Sequence, residues 1–177
     1  MRQLMGEILI YCFLVVLLTG GFLALYYTPD GQMVSYNGAY EPLRGVPMSA
    51  AYDSTLKIGY EVRGGLFMRQ LHHNSSVLLV LGTVVWAMLG RFRYALAALG
   101  LGVLGGLAGY GAADDLLSGT FLGRLPIPWW YGVHLLAALA LGAVLVTSSR
   151  REAALNPRTL RLVALSLGLT SLMIFWL

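Results

Sequence analysis

The chain has 177 residues, of which 58% are hydrophobic and 11% charged, and its mean hydropathy is +0.71. Soluble domains carry about 25% charged residues, so this composition excludes an ordinary soluble enzyme and an intrinsically disordered chain. The single cysteine, Cys12, excludes an internal disulfide framework and a thiolate-held metal cluster within these residues.

Apolar stretches long enough to cross a hydrocarbon core of about 30 Å as helices predict five spans, at 8–27, 71–89, 94–112, 129–147 and 160–177. The first is long for a signal-peptide core and runs into Tyr26, Tyr27 and Thr28 rather than a small-residue cleavage site, so it reads as a retained helix. After it comes the one long connection, 29–69, in which 48–62 mixes polar and apolar residues like a helix lying on a membrane surface. The third span carries Gly100, Gly102, Gly105, Gly106, Gly109 and Gly111. Small residues of this kind let helices approach closely, or they make room for a flat ligand. Tyr26, Tyr27, Trp129, Trp130 and Trp176 fall at span ends, where an aromatic belt is expected. The fifth span holds no histidine, acid or lysine, which points to packing or assembly. The expected fold class is all-α, an integral membrane bundle of five transmembrane helices.

Charge fixes the expected orientation. On the side where the odd spans begin lie seven cations (Arg2, Arg91, Arg93, Arg150, Arg151, Arg158, Arg161) and two acids, Glu7 and Glu152. The other side holds five cations (Arg44, Lys57, Arg63, Arg69, Arg124) and six acids. Short cytoplasmic loops are enriched in Lys and Arg, so the N-terminus is expected in the cytoplasm and the C-terminus outside. The net charge of +4 is then a topology signal, and no nucleic-acid partner is expected.

All three histidines fall at membrane depth, where such residues are costly and usually functional. His72 opens the second span and His134 lies just inside the fourth. Both helices run inward from the external side, so at 1.5 Å per residue both side chains sit within about 10 Å of that interface. Two imidazoles at one level on facing helices suit axial ligation of a single iron; a purely structural histidine pair is the other reading. Zinc is less suited, because no carboxylate or thiolate at this depth completes a tetrahedral site. His73 points about 100° away from His72 around the helix and reads as a packing or hydrogen-bonding residue.

Several short stretches carry a more specific signal: Gly6-Glu7-Ile8, Leu17-Leu18-Thr19-Gly20, Ser35-Tyr36-Asn37-Gly38, Pro42-Leu43-Arg44-Gly45-Val46, and the run from Tyr60-Glu61-Val62-Arg63 through Arg69-Gln70-Leu71-His72-His73. Gly109-Tyr110-Gly111, Asp114-Asp115-Leu116-Leu117-Ser118-Gly119 and Ile127-Pro128 before Tyr131 and His134 follow in order. Together they resemble the cytochrome b subunit of bc-type quinol:cytochrome c reductases, most closely the actinobacterial kind, over its first four helices. Members hold two b haems across a four-helix bundle, on histidine pairs about 14 residues apart on the second and fourth helices. About 14 residues make nearly four whole turns and about 21 Å of rise, which keeps such a pair on one face.

The resemblance maps His72 and His134 onto the outer axial ligands. Trp86 and the serines Ser148 and Ser149 stand where the inner ligands would be, and Trp86 offers iron no lone pair. Gly20 and Gly109 match the outer glycine pair that faces a haem; of the inner pair Gly6 is kept and Ala95 departs. Arg69 matches an arginine that pairs with a haem propionate, whereas Trp129 stands at the position of a second such arginine. Cys12 is not placed to bind a haem covalently, and no C-x-x-C-H occurs.

The resemblance therefore implies one non-covalent haem b, on the external side, in a cytochrome b-like four-helix domain at 1–150 with an added helix at 151–177. By this reading the chain is a non-autonomous electron-transfer subunit of a respiratory oxidoreductase in the bacterial cytoplasmic membrane, surrounded by lipid. It would relay electrons between a quinone and an external redox partner such as a cytochrome c or an iron–sulfur protein; Asp114 and Asp115, with Tyr110, read either as groups handling protons at a quinone pocket or as loop residues solvating a helix end. No Pro-Glu-Trp-Tyr-type motif occurs in these residues, so a complete quinol cycle by this chain alone is not expected. Two alternatives stay open: a degenerate paralogue serving as a structural or assembly subunit, and one part of a split cytochrome b.

Overall fold

A computed structural model describes residues 1–90, 92–115 and 125–176. Helix α1 (Arg2–Ala24) leads into a β-hairpin of β1 (Met33–Ser35) and β2 (Pro47–Ser49), and then into α2 (Ala50–Tyr60), α3 (Gly65–Met88), α4 (Phe92–Ala113), α5 (Ile127–Leu155) and α6 (Leu160–Trp176). Four of these helices, α1, α3, α4 and α5, are long and apolar enough to cross a membrane. The fifth predicted span forms α6, an apolar helix of 17 residues, about 26 Å long at 1.5 Å per residue; Leu177 lies outside the described residues.

The four long helices alternate in direction and close into a ring, with α1 against α3 and α5, α4 between α3 and α5, and α6 outside the ring on α1 and α3. Leu9, Cys12, Leu78, Leu79, Trp86, Ala95, Ala98, Leu141 and Leu145 form the core, and Ile174 of α6 joins it. Leucines such as Leu18, Leu136, Leu139 and Leu172 face outward, as suits helices whose solvent is hydrocarbon and whose backbone groups must be satisfied internally. The glycines of α4 divide by direction. Gly105 faces Ala137, and Gly109 and Gly111 lie against His134 and Trp130, all on α5, whereas Gly102 faces Val80 of α3. Four of the six thus lie where helices approach closely, whereas a Cβ at Gly100 or Gly106 would meet nothing within 4 Å.

The long connection is more ordered than a loop with a surface helix. Its antiparallel hairpin pairs Met33 with Ser49 and Val34 with Met48, and buried Tyr36 packs there with Met48 and Leu56. Ser49 caps α2 by accepting from the Tyr52 amide at 3.1 Å, the preferred role of serine at a helix start. Lys57 and Asp53 form an i,i+4 ion pair at 2.8 Å. Six of the eleven α2 residues are buried, and the helix packs on α3 and α4, so it caps the bundle.

The turn from α2 to α3 depends on two glycines. Gly64 has φ +77°, a backbone state in which side chains are strained. At Gly65 a Cβ would lie 1.8 Å from the Ile58 carbonyl oxygen, a backbone atom that cannot swing aside. Overpacking of this kind costs about 1–3 kcal/mol or more. Gly65→Ala is therefore expected to lower the unfolding midpoint in detergent markedly. Gly168→Ala, at a position of α6 where a Cβ meets nothing within 4 Å, should leave it unchanged or slightly raised.

The aromatic residues at the span ends separate into two groups. Trp129 is 72% exposed and Trp176 is also outward, in keeping with a belt. Trp130 is buried against Gly111, and the Tyr27 hydroxyl donates to the Ala112 carbonyl at 2.6 Å while its ring packs on Tyr131. Those two hold helix ends together inside the protein.

Candidate cofactor site

The alternating helices bring the carboxyl end of α1, the start of α3, the end of α4 and the start of α5 to one end of the bundle. There the His72 and His134 rings approach with centroids 6.2 Å apart and planes at 57°. Each ring is held through one nitrogen. His72 Nδ1 lies 3.1 Å from the Val16 carbonyl and 3.0 Å from Thr19 Oγ1, both on α1. His134 Nδ1 lies 2.7 Å from the Gly105 carbonyl on α4. A proton on Nδ1 of each ring donates to these carbonyls, which fixes the ring's orientation and leaves Nε2 unprotonated, with its lone pair able to bind a metal. Among the described residues, Nε2 of neither ring has a hydrogen-bond partner.

Both predicted glycines stand against these imidazoles. A Cβ at Gly20 would lie 3.1 Å from His72 Cε1, and one at Gly109 would lie 3.1 Å from His134 Nδ1. Ser75, three residues after His72, is fully buried, and its Oγ has no partner among the described residues. Among the described residues no group of three His, Cys, Asp or Glu gathers that could hold a metal ion. Two imidazoles without a third such ligand among the described residues suit a group that brings its own equatorial ligands, as a haem does.

Arg69 lies one turn before His72. It donates from Nη1 to the Thr55 carbonyl of α2 at 3.1 Å, which uses one of the five N–H donors of its guanidinium. Its neighbour in space is Gly59, where a Cβ would meet Nη1 at 3.2 Å. His73 turns away from the pair, as expected, and its Nε2 is 2.7 Å from the Tyr110 hydroxyl. Asp114, in the turn just after α4, has φ 52°, and Asp115 is exposed; the rest of that motif, 116–119, and Arg124 lie outside the described residues. The role of Thr19 was not visible beforehand; its only signal was its place beside Gly20.

Fourteen residues along α3 from His72 the environment is different. Trp86 is buried against Gly6, and around it stands a polar network that sequence reading did not anticipate. Buried Glu7 accepts from Ser149 Oγ at 3.0 Å and from Arg158 Nε at 2.9 Å. Buried Glu152 pairs with Arg2 at 3.4 Å and accepts from Asn156 at 2.9 Å. Gln3 donates to the Asn156 carbonyl at 2.6 Å. Together these contacts join the amino end of α1 to the α5–α6 turn.

Comparison with known proteins gives a consistent result. No family model matches the chain. It is 45% identical over 131 residues to the cytochrome bc1 complex cytochrome b subunit of Mycobacterium leprae, covering 67% of this chain and 24% of that subunit. The subunit of the same name from Corynebacterium efficiens is 38% identical over 155 residues, covering 81% of this chain and 27% of its own length. That from Streptomyces coelicolor is 41% identical over 129 residues, covering 66% and 24%. The chain thus spans about a quarter of the length of the curated relatives it matches. It belongs to the family of cytochrome b subunits of the bc1 complex, as an all-α membrane bundle that corresponds to part of their length.

Proposed function

We propose that the chain is a mono-haem b membrane subunit of a respiratory oxidoreductase complex, with His72 and His134 as the axial ligands. The observation that carries this reading is the histidine pair itself: two rings 6.2 Å apart, each anchored through Nδ1 to a backbone carbonyl and each backed by a glycine. A haem held by these two imidazoles would supply single-electron exchange. The protein's part is to hold both rings in one tautomer, to give the macrocycle room at Gly20 and Gly109, and to offer the remaining Arg69 donors to a propionate.

Trp86 and the charged network around it argue against a second haem, so electron relay is confined to the histidine end. By the charge distribution that end faces outward, and the N-terminus is cytoplasmic. The redox partners proposed are a quinone in the outer leaflet and an external protein such as a cytochrome c or an iron–sulfur protein, reached within a larger complex. The hydrogen-bonded His73–Tyr110 pair, exposed beside His72, with Asp114 and Asp115 nearby in sequence, supplies groups able to hold a quinone's proton. On this reading residues 1–150 form the haem domain, and 151–177 add a packing helix.

The test is the haem content of the protein purified from membranes. One b-type haem per chain by pyridine haemochrome absorption, titrating as a single one-electron component, supports the relay. No haem would favour the structural or assembly subunit. Two would overturn the assignment of Trp86.

A further inference from the structure

At the end of the bundle opposite the histidines, Trp86 is 3% exposed, and its Nε1 is enclosed without a hydrogen-bond acceptor among the described residues. An indole N–H can only donate, and a buried donor left unmet is costly. Trp86 lines a small cavity together with Arg2, Glu7, Ser148, Ser149 and Glu152. The space open to the centre of a water molecule there is ≈ 10 Å³, roughly what one water needs. The walls are unusually polar for a bundle core: Glu7 is 3% and Glu152 7% exposed, and Ser148 and Ser149 are buried as well. Both bonds to Glu7 land on Oε1, so its carboxylate retains acceptor capacity.

We propose that this cavity is a binding site for a single ordered water, which accepts from Trp86 Nε1 and donates to the buried carboxylates. It satisfies the indole and links Glu7 to Glu152 at the level fourteen residues along α3 from the histidine pair. The bound water exchanges with solvent past Arg2, whose side chain is 44% exposed, so protons reach the two buried carboxylates through it. This end of the molecule is then a hydrated, proton-exchanging charged cage. The inference stands on these residues alone and does not depend on a haem at the other end.

The experiment uses the full chain in detergent micelles with 15N-labelled tryptophan indoles. Four tryptophans are present, and the Trp86 signal is assigned as the one missing in Trp86→Phe. If that variant does not fold, β-benzothienylalanine at position 86 keeps the ring size, removes the N–H and gives the same assignment. A cross-relaxation peak between a long-lived water and the Trp86 indole proton is expected, together with a shift of that proton in Glu7→Gln. A Trp86 indole with no water cross-peak overturns the proposal. The benzothienyl variant gives an independent sign: its unfolding midpoint falls if a water bond is lost and rises if an unmet donor has been removed.

Discussion

If His72 and His134 are the axial ligands proposed above, His134→Ala is expected to lower the haem content from one per chain to less than a tenth of that, and His72→Ala to do the same. Neither histidine can compensate for the other. Each is anchored by a different helix, His72 by α1 and His134 by α4, so the surviving ring has no reason to move across. Among the described residues no group of three metal-ligating side chains offers a replacement site. Substitutions around the pair should act in graded fashion. Gly109→Val places carbon where 3.1 Å already separates a Cβ from His134 Nδ1, and its larger side chain displaces the ring, so haem content falls several-fold with the fold intact. Thr19→Val removes the hydroxyl 3.0 Å from His72 Nδ1 but keeps the Val16 carbonyl. It is expected to retain the haem and shift its reduction potential, because hydrogen bonds to the far nitrogen tune a ligand's basicity. Trp86→Phe should leave the ratio at one. Haem absorption per chain and a redox titration check all five variants; full haem retention in His72→Ala would sink the axial assignment.

The parts of this site that were legible in sequence depend on regular helix geometry. Rise per residue alone brought His72 and His134 to one depth, whereas Gly20 and Gly109 were singled out by the resemblance to cytochrome b, and the structure sets each against one of the imidazoles. The four long helices were visible because a run of apolar residues has few other uses. What stayed hidden depends on contacts between distant segments. Arg69 binds the Thr55 carbonyl only because α2 folds down onto α3, and the hairpin that sets α2 in place is two three-residue strands with no strong pattern of their own. Glu7 and Arg158 are 151 residues apart; sorting charges to one side of the membrane placed them together without showing that they touch. Trp130 read as an interfacial aromatic because its burial depends on Gly111 of a neighbouring helix.

Arg158→Ala is expected to destabilise the protein far more than Arg161→Ala on the same face. Removing the guanidinium leaves the Glu7 carboxylate buried, at 4% side-chain exposure, with Ser149 as its other recorded partner. Breaking a buried ion pair by deleting one partner costs about 3–5 kcal/mol. Arg158 itself is 40% exposed, so solvent can reach part of the vacated space, and the expected loss is on the order of 2–3 kcal/mol. Arg161→Ala, where the guanidinium has no acidic partner among the described residues, should change stability by less than about 0.5 kcal/mol. The sign of the pair is read from Glu7→Gln. Neutralising the buried carboxylate removes the need for Arg158, so Glu7→Gln with Arg158→Ala should be more stable than Arg158→Ala alone, a positive coupling that a double-mutant cycle isolates. Denaturant unfolding in detergent measures all four proteins. Additive losses in the cycle would mean that the 2.9 Å contact contributes nothing, and that the α5–α6 turn is held to α1 by apolar packing alone.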